Sequence, residues 1–190
     1  MKLVTRCIVL ASLCVLPLAT WAQNEPGPFE VGAAWGHLTG DFGLDGLNVT
    51  MGYRFAGKVV VMAQGDFLWN TSTVGTLTLS PTTGQFSIHE NFQQGLGGGR
   101  FYVFGVKKRI RPFGQILLGY SRLSQQTTTT TGIINAGASS SAFSWLFGGG
   151  GDFRLNDHWA ARGTLDFERT HFINEGQSRA RFTLGMVYHF

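Results

Sequence analysis

The last twelve residues of the chain set the strongest limit on its fold. Ala180, Phe182, Leu184, Met186, Tyr188 and Phe190 alternate with Arg179, Arg181, Thr183, Gly185, Val187 and His189. A period of two marks a strand with two unlike faces, because successive side chains of a pleated backbone point to opposite sides. The same alternation runs through Trp159, Ala161, Gly163, Leu165 and Phe167, and through Leu47, Val49, Met51, Tyr53 and Phe55. After residue 22 no apolar run approaches the ~20 residues that a membrane-spanning helix needs.

Five weaker segments, at residues 28–39, 58–70, 90–104, 112–123 and 142–154, bring the predicted strands to eight. The connections alternate in length. Tight links fall at Ala56-Gly57-Lys58, Val106 to Arg111 and Leu155 to His158. Long or polar ones fall at Thr39 to Asp45, Thr71 to Ile88, Ser124 to Ser141 and Thr170 to Gln177. Thr127 to Thr131 and Ile133 to Ser141 are low in complexity and nearly uncharged, so a mobile loop is expected there. Short turns at one rim and long loops at the other predict an all-β fold over residues 23–190: an eight-stranded antiparallel up-and-down transmembrane β-barrel.

Composition says which solvent this sheet faces. Only 14% of residues are charged, against the usual ~25%, while there are 16 Phe and 27 Gly. Disorder is excluded by that balance. A soluble sandwich would carry charge on its exposed face, yet the face rich in Phe, Trp, Leu and Val is almost free of charge at mid-strand. Its aromatics gather toward strand ends, as interfacial girdles do. In lipid every backbone N–H and C=O must find an internal partner, so a sheet can span only by closing on itself.

Export fits this location. Lys2 and Arg6, the apolar stretch Cys7 to Ala19, and Thr20-Trp21-Ala22 form a tripartite signal over residues 1–22, with a mature start near Gln23. Cleavage there would remove both cysteines and leave 13 basic residues against 11 acidic ones. An exported, nearly neutral chain is not expected to bind nucleic acid.

The signal, Arg111-Pro112-Phe113-Gly114-Gln115 opening the fifth strand, and the closing alternation from Phe182 to Phe190 resemble the small eight-stranded outer-membrane barrels of Gram-negative bacteria, the OmpA-like and OmpX-like barrel domains. That resemblance implies a monomer in the outer membrane, surrounded by outer-membrane lipid and lipopolysaccharide. It also implies that the barrel-assembly machinery reads Phe190 as a terminal aromatic signal, and that the tight links are periplasmic. The basic run Lys107 to Arg111 would then lie in a periplasmic turn, solvated or against anionic headgroups.

With the apolar face outward, an interior charge network is expected from Arg54, Lys58, Arg100, Arg162, Arg179 and Arg181 against Glu30, Asp66, Glu90, Asp152, Asp166 and Glu168. Eight strands leave an interior just wide enough for side chains to fill. Six charges of each sign would therefore plug it, since unpaired charges in so narrow a lumen are costly. The alternatives are a narrow ion path through the network and a lipid-active enzyme. The five histidines, at 37, 89, 158, 171 and 189, show no metal-ligand spacing, and none has a serine two residues on, as a barrel deacylase would. Gly97-Gly98-Gly99 and Gly148 to Gly151 lack the Gly-Lys-Ser/Thr of a phosphate loop. No catalytic, cofactor-binding or metal residue is assigned. The expected role is structural support of the envelope or interaction through the external loops.

Overall fold

Every predicted strand has a neighbour on each side. The structure is a computed structural model that describes residues 27–40, 43–79, 82–104, 108–129, 135–172 and 175–190. The predicted export signal lies outside them. The strands are β1 (Phe29–Leu38), β2 (Leu44–Ala56), β3 (Val59–Leu79), β4 (Thr82–Tyr102), β5 (Ile110–Thr129), β6 (Asn135–Arg154), β7 (Trp159–Phe172) and β8 (Glu175–His189). Each pairs antiparallel with its sequence neighbours, and β1 pairs with β8 from Glu30↔His189 to Leu38↔Arg181, which closes the barrel. Closure removes the unpaired edges that lipid would not tolerate.

The alternation places the side chains. Leu165 is 64% exposed on the outer face, while Thr164 and Asp166 beside it are buried inside. Outer aromatics form two belts. Phe29, Tyr53, Phe101, Phe153 and Trp159 ring the short-turn rim, and Trp35, Trp69, Tyr120, Phe143 and Phe167 ring the opposite, tall rim. Phe29 and Tyr53 touch at 4.9 Å between centroids, and Tyr120 and Phe143 at 6.0 Å. The turn between β2 and β3 is closed by Gly57 at φ 43°, a backbone shape that a side chain disfavours.

In two long links expected as loops, residues 71–79, 82–88, 124–129 and 135–141 are instead strand, while residues 80–81 and 130–134 lie outside the described residues. β3 and β4 each run 21 residues, and β5 and β6 each run 20, against 10 for β1. β2 leaves β3 at Trp69, and β7 joins β6 only at Ser144. Beyond those points β3 to β6 pair, among the described residues, only with one another and stand above the barrel as a four-stranded wall. Its sequence is rich in Thr, Ser and Gln, so the hydrophobic alternation that reveals a strand is weak, although β-branched threonine suits one.

The barrel interior as candidate functional site

Nearest the short-turn rim, arginines outnumber carboxylates. Glu30 Oε1 accepts from Arg100 Nη1 and Arg162 Nη1, each at 2.9 Å. Asp152 accepts from Arg162 Nε (2.6 Å) and Nη2 (2.9 Å), from Arg111 Nη2 (2.9 Å), and from the Tyr102 hydroxyl (2.8 Å). The aromatic faces of Phe113 and Tyr102 take up the remaining cationic surface, with Arg100 4.3 Å above Phe113 and Arg111 4.6 Å above Tyr102. His189 is buried beside this layer, its Nε2 3.4 Å from Arg111 Nη2.

Midway up, the balance reverses. Arg181 Nη1 and Nη2 donate to Asp66 Oδ2 (2.7 Å) and Asp166 Oδ2 (2.9 Å). Neutral groups supply the other donors: Asn48 (2.6 Å) and Gln64 (2.8 Å) to Asp66, Thr164 (3.0 Å) and Gln115 (2.8 Å) to Asp166. Gln115 also accepts from Arg100 at 2.8 Å, so its amide joins the two layers. Gly148 lies opposite Asp166, and a Cβ there would run into the carboxylate. A cavity of about 10 Å³, room for one water at most, lies between the layers beside Gln64, Arg100, Gln115 and Arg162.

Higher still, the Gln94 amide donates to Glu168 Oε1 and to Ser121 Oγ, both at 2.7 Å, and Ser121 and Ser144 share a hydroxyl contact of 2.5 Å. Above these lies an apolar collar of Leu38, Leu44, Leu68, Phe92 and Ala142, its first four members no more than 3% exposed. A mouth cavity of about 130 Å³, lined by Glu90, Gln125, Gln177 and Arg179, opens outward from it.

The expected network is therefore redistributed. Glu30, Asp66, Arg100, Asp152, Arg162, Asp166 and Arg181 meet in the two layers, and Glu168 sits just above. Glu90 is buried at the mouth, bonded to Gln125 at 2.5 Å, and Arg179 is half-buried there, bonded to Gln177. Arg54 is half-buried at the short-turn rim, bonded to the Gly27 carbonyl at 3.3 Å. Lys58 does not face inward: it is exposed in the β2–β3 turn, where the strand alternation has ended. Conversely, Arg111 belongs to the interior rather than to a basic turn, because β5 begins at Ile110 and carries it inward. Its place between Ile110 and Pro112 on strand parity was the available signal. The inward leucines were missed because an apolar residue on the polar parity reads as noise. Phe190 donates its N–H to Phe29 O at 3.0 Å and packs its ring 4.8 Å from Tyr188.

Comparison with known proteins agrees with this architecture. The family model for the outer membrane protein beta-barrel domain matches residues 8–190. The attachment invasion locus protein Ail of Yersinia pestis, solved with the heparin analogue sucrose octasulfate, is 15% identical with a TM-score of 0.57, over 85% of this chain and 96% of its own. Neisserial surface protein A is 11% identical with a TM-score of 0.57, over 85% and 96%. OprG from Pseudomonas aeruginosa is 14% identical with a TM-score of 0.51, over 87% and 97%. At these identities the likeness is one of fold. No curated protein matches the sequence.

Proposed function

The chain belongs to the outer membrane protein β-barrel family, which lies in the bacterial outer membrane, and from that premise we propose a closed, non-conducting barrel that supports the envelope and presents its tall wall to external partners. The observation that carries the first half is the filled interior. An ion crossing it would have to pass the apolar collar of Leu38, Leu44, Leu68 and Phe92 and then two charge layers with about 10 Å³ between them. Desolvating an ion at the collar and displacing bonded guanidiniums below it are both strongly unfavourable.

What supports the second half is the wall. Its two outer strands, β3 beyond Trp69 and β6 before Ser144, each lack a partner on one side among the described residues. A strand edge with open N–H and C=O groups is a template for pairing with another chain. In this reading the tall rim is extracellular and the short turns are periplasmic. Catalysis has no part in it.

Single-channel recording of the refolded protein in a planar bilayer tests the reading. Silence, or only rare brief openings, is expected. Steady conductance that changes when Arg162 or Asp166 is neutralised would replace the closed barrel with a pore lined by the network.

A further inference from the structure

We propose that the tall-rim half of the interior binds one dehydrated monovalent cation, sodium by its chemistry, held by Glu168, Gln94, Thr170 and the Ser121–Ser144 hydroxyl pair.

Charge is the first argument. Asp66, Asp166 and Glu168 are all buried in this half, and Arg181 is the one guanidinium that bonds carboxylates there among the described residues. Both of its terminal nitrogens go to the two aspartates. Glu168 receives a single hydrogen bond, from the neutral Gln94 amide, and has no salt-bridge partner among the described residues. Glu168 shares the field of Arg181 with two aspartates that already hold both terminal nitrogens, so a carboxylate 1% exposed there is under-compensated.

Unpartnered oxygens are the second argument, and they are independent of the charge count. Glu168 Oε2, Gln94 Oε1 and Thr170 Oγ1 are buried with no hydrogen-bond partner among the described residues. Hydrogen bonds and strand register link the residues that carry them. The Gln94 amide nitrogen is anchored to Glu168 on one side and to Ser121 on the other. Ser121 touches Ser144, and Ser144 pairs with Thr170 across the β6–β7 ladder. Thr170 in turn lies two residues from Glu168 on the same inner face.

The donor set names the class of ion. All the donors are oxygen, which suits hard cations and not the transition metals that seek nitrogen or sulfur. One carboxylate among neutral hydroxyl and amide oxygens matches a single positive charge. Calcium takes six to eight oxygens, usually with several carboxylates, and magnesium keeps much of its water. A proton on Glu168 with a water beside it would meet the same demands, but it predicts no dependence on sodium.

The test compares the folded protein in detergent micelles in sodium chloride and in N-methyl-D-glucamine chloride at equal ionic strength. Heat unfolding is read by gel mobility. Sodium is expected to raise the unfolding midpoint saturably, by roughly 5–10 °C at a concentration a hundred times its Kd. Glu168→Gln should abolish the rise, and Thr170→Val should shift half-saturation to several-fold higher sodium. Glu90→Gln, at the mouth and outside the site, should leave the response intact. Equal midpoints in the two salts overturn the proposal, and so does a sodium response unchanged in Thr170→Val, the variant that decides the matter if Glu168→Gln does not fold.

Discussion

Around Asp152, near the short turns, four hydrogen bonds arrive from two arginines and a tyrosine, whereas around Asp166, one layer higher, one arginine is helped by a threonine and a glutamine amide. Both carboxylates are at most 2% exposed. In the first layer positive charge is in excess and aromatic faces absorb it. In the second, negative charge is in excess and neutral donors spread it. Two chemically different solutions thus fill one lumen, and each fails in its own way when a partner is removed.

The largest effect is expected where one side chain serves two carboxylates. Arg162→Leu strips a cation from both Glu30 and Asp152 and should destabilise the folded barrel by about 3–5 kcal/mol, measured by urea titration in micelles. A loss no greater than that of a surface substitution would show that Arg100 and Arg111 suffice alone, and the contrast between layers would collapse. Next in size is a charge on the opposite side of the same strand. Leu165→Arg, adjacent to Asp166 but facing outward, should cost roughly 2–4 kcal/mol in a lipid bilayer. Insensitivity there would mean that the inner and outer faces are exchanged.

Smaller still is the removal of a neutral donor. Gln94→Leu leaves Glu168 Oε1 and Ser121 Oγ without their shared amide and should cost about 1–3 kcal/mol, since buried polar atoms lose a partner they cannot replace. An effect rivalling Arg162→Leu would show that the upper half is the less tolerant one. Lys58→Ala closes the series. That side chain is exposed in a turn, and its loss should move stability by less than about 0.5 kcal/mol.

Strand number, closure and face were legible because one physical rule, the period of two, governs all three. Asp66, Asp152, Arg162, Asp166 and Arg181 could be placed inside from parity alone. Parity fails at strand ends, and that explains both Lys58, counted inside although its strand had turned, and Arg111, counted in a turn although its strand had begun. Partners were not legible at all. That Arg162 of β7 bridges Glu30 of β1 and Asp152 of β6 depends on how strands stagger around the closed cylinder, which no single strand records. The Thr- and Ser-rich wall stayed hidden because water on both sides removes the contrast between faces.

The wall has a consequence for how such a molecule can change over time. Strands of 20 and 21 residues at about 3.3 Å per residue outrun a membrane that needs only about 9–11 of them. The surplus is paired within itself, so residues added to or taken from both arms of a hairpin leave the stagger of the cylinder untouched. Selection can therefore rewrite the protruding sheet, in length as in chemistry, while the anchored part stays fixed. The fold divides into a fixed socket and an interchangeable display, and an engineer could graft a foreign hairpin onto it for the same reason.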